Sequence, residues 1–146
     1  MQVLRDRQLG AALAAAPLFW LVFSLLRPLS PDLGWPLQAP LVFLLPGFVY
    51  PVLEEACFRG LLQPALYRQP WGGARFCGLS VANWVTAALF AASHLVWHVS
   101  WQALAVFFPG LVFGHFRDRY GRIGPSVLLH ALYNSGFVWL FAAVAR

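Results

Sequence analysis

Apolar residues run through this chain in long blocks, and clusters of Arg, Pro and Gly separate one block from the next. A helix that crosses a bilayer needs about 20 mostly apolar residues, and cutting at those clusters leaves five stretches near that length. They cover 9–26, 39–67, 77–97, 100–116 and 124–144. From Phe76 to Phe116 there is no Asp, Glu, Lys or Arg over about twice one membrane thickness, which predicts a helical hairpin turning near Trp97 to Trp101. The expected fold class is all-α, a polytopic membrane bundle of about five transmembrane helices.

Proline and glycine sharpen this division. Pro46 and Pro51 lie inside the second stretch, which is long enough to tilt, kink or begin with a partly re-entrant piece. Pro125, with Gly124 before it, suits the first turn of the last helix. The Pro-rich stretch from Arg27 to Pro40 reads as a loop. An apolar run from Leu9 to Leu26 follows Arg5 and Arg7, and without a clean small-residue cleavage pattern it reads as an uncleaved first span.

Composition agrees with a membrane location. Of 146 residues, 60% are hydrophobic and 10% are charged, against roughly 25% charged in a soluble domain. One domain over 1–146 is expected. The net charge of +5 does not point to nucleic acid, because the basic residues fall in loops and no basic patch interleaved with aromatics occurs. Arg5, Arg7, Arg68, Arg75, Arg117, Arg119 and Arg122 collect on alternate loops, with Arg27 and Arg146 on the others. Basic residues stay on the cytoplasmic side, so the N-terminus is expected inside and the C-terminus outside. Tyr67, Trp71, Trp97, Trp101 and Tyr120 fall near span ends, as an interfacial aromatic belt would. Cys57 and Cys77 have no metal-ligand spacing and read as buried small hydrophobes.

Several polar groups nevertheless fall inside the apolar stretches. Glu54, Glu55 and Arg59 lie in the second, His94 in the third, and His130 and Asn134 in the fifth. A charged side chain at the centre of a spanning helix costs roughly 2.5–3.5 kcal/mol, so the Glu, Glu, Arg cluster alone costs about 8–10 kcal/mol. Residues four apart share a helical face, and Glu55 with Arg59 form an acid-first ion pair in that register. Glu54 points about 100° away and is left to take a proton from water. Phe90 and His94 share a face, with His98 one turn on, and His130 and Asn134 pair an imidazole with a carboxamide. Two donors of that kind can stabilise an oxyanion on a carbonyl oxygen. Counted at about 1.5 Å per residue, Glu54, His94, His130 and Asn134 lie roughly 10–25 Å into the membrane and meet if their helices are neighbours. The bland alternatives are a buried salt-bridge cluster and polar interhelical glue, the second of which suffices for Asn83 and Gln102. His115, beside an Arg-rich loop, reads as interfacial. Ser93 and Cys57 lack the base and orienting acid of an activated nucleophile.

In order, Glu54-Glu55-Ala56-Cys57-Phe58-Arg59, Phe90 to His94 and His130 to Asn134 resemble the Glu-Glu-x-x-x-Arg, Phe-x-x-x-His and His-x-x-x-Asn signature of the CPBP family. That family comprises CAAX-type prenyl endopeptidases and Abi-like intramembrane proteases. The resemblance implies a helical membrane protease in which Glu54 and His94 activate the hydrolytic water and His130 and Asn134 form the oxyanion site. Glu55, Arg59 and Phe90 are then supporting residues, 39–144 the catalytic core and 9–26 an added N-terminal span. No cofactor is expected, since no H-E-x-x-H occurs. A zinc ion on Glu54, His94 and His130, with His98, stays open as the other description of such sites.

The implied partners are the lipid bilayer and a membrane-anchored protein or peptide substrate, with no nucleic acid. A small member of this kind is expected in a prokaryotic cytoplasmic membrane, processing leader peptides or sorting anchors of the myxosortase type. Two other classes use intramembrane Glu and His as well. One is a non-enzymatic immunity or scaffold protein, and the other a small proton-coupled transporter.

Overall fold

An aspartate opens the first helix. Asp6 accepts a hydrogen bond from the Gln8 backbone N–H at 2.8 Å and caps α1 (Arg7–Ser24). The computed structural model describes residues 6–96 and 100–142, apart from the side chain of Gln102. Arg5, Trp97, His98, Arg146 and the Gln102 side chain therefore lie outside the described residues, as do the roles expected of them.

After α1 come a short α2 (Trp35–Gln38), the long helix α3 (Pro40–Tyr67), a small hairpin of β1 (Arg75–Phe76) and β2 (Leu79–Ser80), and α4 (Val81–Leu95). A short α5 (Trp101–Ala105), α6 (Phe107–Tyr120) and α7 (Gly124–Phe141) complete the order. The chain is mostly helical, in line with the all-α expectation. Both α1 and α3 are long and apolar enough to cross a membrane and occupy the first two stretches read from the sequence. The other three stretches hold shorter or more polar helices: α4 has 15 residues, α6 has 14, and α7 has 18 but includes His130 and Asn134.

One boundary differs from the sequence reading. Residues 75–80 form an antiparallel hairpin instead of the start of a helix, with Arg75 opposite Ser80 and Phe76 opposite Leu79. Cys77 and Gly78 at its tip have φ of 49° and 80°, the left-handed values that a tight two-residue turn demands. Helix α4 then starts at Val81 because the Ser80 hydroxyl caps it, accepting from the Asn83 N–H at 3.0 Å. The cysteines also depart from expectation, since both are exposed. Cys57 sits two residues from buried Glu55, about 200° round the helix, and Cys77 is in the turn.

The chain divides into two compact units, Met1–Val52 with Leu128–Arg146, and Leu53–Val127. In the first, α1 buries Leu9, Ala16 and Phe23 at seven-residue spacing. Phe23 meets Phe141 edge-on at 5.0 Å and Phe137 at 5.3 Å. The Tyr133 hydroxyl donates to Ala12 O at 2.8 Å, and the Trp20 ring lies against Gly136 where any Cβ would stand. The two indoles Trp35 and Trp139 donate to Trp139 O and Leu33 O, tying the loop before α2 to α7.

In the second unit α4 packs along α6, burying Ala82, Ala87, Phe90, Ala91, Phe113 and Phe116. Gly110 and Gly114, four residues apart on α6, let side chains from α3 and α4 reach its backbone. This small-residue spacing is one that brings membrane helices together. Gly121, at φ 66°, ends α6 in a left-handed cap.

Candidate active site

Helix α3 is not regular, and its irregularities flank the two glutamates. Leu45–Val49 and Ala56–Leu62 form π-helical turns on either side of an α-helical piece, Tyr50–Glu55. Pro51 follows the first of these turns, and the carbonyl four residues back from it, that of Gly47, lies within the turn, where a wider turn eases the clash with the proline ring. π-Turns of this kind recur at functional sites.

From that piece Glu55 enters the second unit's core and Glu54 stays half-buried. Glu55 and Arg59 have no exposed side-chain surface, and Arg59 Nη1 donates to Glu55 Oε1 at 2.9 Å. A second guanidinium nitrogen, Nη2, donates to Gly110 O at 2.9 Å. Arg59 Cζ lies 4.5 Å from the centre of the Phe90 ring and 5.6 Å from that of Phe113, so aromatic faces cover the cation where no water can. The Arg117 side chain adds a bond from Nε to Arg59 O at 2.8 Å.

Phe90 links this ion pair to His94. The two rings meet edge-on at 4.7 Å, and His94 Nδ1 lies 2.9 Å from Phe90 O. A backbone carbonyl only accepts, so the neutral imidazole carries its proton on Nδ1 and presents Nε2 as a lone pair. Ser93 donates its hydroxyl to the same carbonyl at 2.7 Å. Together Glu55, Arg59, Phe90 and His94 form one contiguous cluster in the second unit, which also contains Glu54.

His130 and Asn134 belong to the first unit, one turn apart on α7. His130 is 3% exposed and Asn134 half-buried. Asn134 Nδ2 donates to Pro46 O at 3.2 Å.

A second polar layer lies one turn beyond Arg59 on α3, and the sequence reading missed most of it. Gln63 Nε2 donates to Gly114 O at 2.9 Å and to Asp118 Oδ1 at 2.7 Å. Ser80 donates to Asp118 Oδ2 at 2.5 Å, and Asn83 Nδ2 to Leu111 O at 2.9 Å. Asn83 thus acts as interhelical glue. Two signals for this layer were present: Gln63 follows Arg59 by four residues, and Gly110 and Gly114 have the small-residue spacing of packed membrane helices. No three His, Cys, Asp or Glu side chains among the described residues gather as metal ligands would.

The family model described as type II CAAX prenyl endopeptidase Rce1-like matches residues 36–136, most of the chain. The chain belongs to this family. Its matched region holds Glu54, Glu55, Arg59, Phe90, His94, His130 and Asn134, and α1 precedes it. The family is one of integral membrane proteins, in keeping with α1 and α3. No match was found among curated proteins or among solved structures.

Proposed function

We propose that this chain is an intramembrane endopeptidase that hydrolyses a peptide bond in a membrane-tethered protein or peptide. The observation that carries this reading is the family match over 36–136, within which the three motifs occur in order. In the proposed reaction the Glu54 carboxylate takes a proton from water and His94 Nε2 holds that water by its lone pair. The water oxygen attacks the scissile carbonyl carbon, and His130 and Asn134 donate to the oxyanion that forms. As the C–N bond breaks, Glu54 returns that proton to the amide nitrogen, which leaves as an amine, and the other product is a carboxylic acid that ionises by giving its proton to the amine or to solvent. Glu55, Arg59 and Phe90 support the site: the ion pair anchors α3, and Phe90 seats the His94 ring.

The proposed setting is a prokaryotic cytoplasmic membrane, with the N-terminus inside and the C-terminus outside, and the proposed substrates are leader peptides or sorting anchors. Comparing membrane proteomes with and without the protein identifies a substrate by its altered terminus. Glu54→Gln is expected to abolish cleavage of that substrate while the protein stays inserted. Full cleavage by Glu54→Gln would overturn the mechanism. Proton-coupled flux lost on the same substitution would indicate a transporter, and immunity retained with Glu54, His94 and His130 all replaced would indicate a binding protein.

A further inference from the structure

One carbonyl in α3 is left without a backbone donor by two prolines. In an α-helix the C=O of residue 46 accepts from the N–H of residue 50, and in a π-turn from that of residue 51. Here the Tyr50 N–H goes to Leu45 O, following the π-turn that holds Pro46. Residue 51 is Pro51, which has no N–H. Both helical routes to Pro46 O are therefore closed, and Asn134 Nδ2, 88 residues away in sequence, takes the bond at 3.2 Å.

We propose that Pro51 is a positioning residue for Asn134, holding its carboxamide in one orientation by withholding the backbone donor that would otherwise claim Pro46 O. A carbonyl accepts only, so the amide must turn its nitrogen, not its oxygen, toward Pro46. One N–H is spent on that carbonyl, and the planar amide then sets the direction of the second. Resting on the protease reading above, that second N–H is the one offered to the oxyanion. The π-turn at Leu45–Val49 and Pro51 thus act together, the first moving Tyr50 to Leu45 O and the second removing the next donor along.

The test uses the intact protein in micelles with 15N placed in asparagine alone. The chain contains two asparagines, Asn83 and Asn134, so two side-chain amide signals arise and Asn83→Ser assigns them. Pro51→Ala and Pro51→Leu each restore an N–H at residue 51, and both favour helix over proline. In both variants the Asn134 side-chain signals are expected to shift and their hydrogens to exchange faster, whereas Pro64→Ala in the same helix leaves them in place. With the substrate identified above, kcat is expected to fall on the order of tenfold to a hundredfold at unchanged KM. Asn134 signals unmoved in both Pro51 variants would overturn the proposal. Signals that shift while kcat holds would support the positioning by Pro51 and instead overturn the oxyanion role of Asn134. The spectroscopic comparison holds even for a chain without proteolytic activity.

Discussion

Arg59 Nη1 stands 2.9 Å from Glu55 Oε1, and neither side chain reaches the surface. Such a pair is costly to break from one side, because the survivor keeps its charge without its partner. Glu55→Gln would keep an oxygen for Arg59 but remove the charge paired with it, leaving the buried cation with neutral acceptors, the glutamine oxygen and the Gly110 carbonyl, and with the Phe90 face, at a cost of about 3–5 kcal/mol. Glu54→Gln acts on a half-buried residue outside that ion pair and is expected to cost less. Unfolding both variants in mixed micelles separates the roles: Glu55→Gln lowers stability, whereas Glu54→Gln lowers activity with the fold retained. Equal destabilisation by the two would remove the division of labour between neighbouring glutamates.

The glycines of α6 give a packing test. A Cβ at Gly114 would overlap the Asn83 carboxamide and crowd Gln63 Oε1, whereas one at Gly10 meets nothing within 4 Å. Gly114→Ala is expected to destabilise by about 1–3 kcal/mol through overpacking. Gly10→Ala is expected to leave stability unchanged or raise it by up to about 1 kcal/mol, as a glycine replaced inside a helix does. Thermal unfolding of the two variants side by side checks the contrast.

Asp118 joins two elements through a single carboxylate, receiving Gln63 on one oxygen and Ser80 on the other. Asp118→Ala takes the acceptor from Ser80 and leaves Gln63 Nε2 with the Gly114 carbonyl alone, and is expected to cost about 1–3 kcal/mol. Ser80→Ala loses the cap of α4 as well as its bond to Asp118, at about 1 kcal/mol for the cap. Since the two substitutions remove one shared bond, the double variant should lose less than the sum of the singles. Strict additivity in denaturant titrations would show that the Ser80–Asp118 bond contributes nothing.

Orientation can be read from a thiol. The chain has two cysteines, both exposed, so Cys57→Ser leaves Cys77 at the hairpin tip as the sole target. With the proposed cytoplasmic N-terminus, a membrane-impermeant maleimide is expected to label Cys77 in inverted vesicles and not in right-side-out ones. The reverse pattern would invert the topology.

Much of the local geometry was legible in the sequence because helical periodicity alone dictates it. Glu55 with Arg59 and Phe90 with His94 are each four apart, and residues at that spacing meet on any helix whatever surrounds it. The ends of α1 and α3 followed from apolar runs stopped by Arg and Pro, which reflects the cost of polar groups in hydrocarbon. The hairpin at 75–80 was not legible, because Phe76, Cys77 and Leu79 are as apolar as a helix start and two positive φ values decide the turn. The exposure of Cys77 was misread together with the turn that carries it, and that of Cys57 for a separate reason. In lipid an apolar side chain gains little by turning inward, so hydrophobicity does not tell the inside of a helix from its outside.

Apolar runs and helical spacing along the chain thus set which stretches become helices, which polar residues share a face, and the order of motifs that the family match spans. The partners reached across the chain came from folding: Arg59 with Gly110, Gln63 with Gly114 and Asp118, and Asn134 with the Pro46 carbonyl. The physical reason is range. Spacing along a helix reports neighbours within a turn or two, while a donor's choice among distant carbonyls depends on which backbone groups are already bonded and on where a missing Cβ or a missing N–H leaves room.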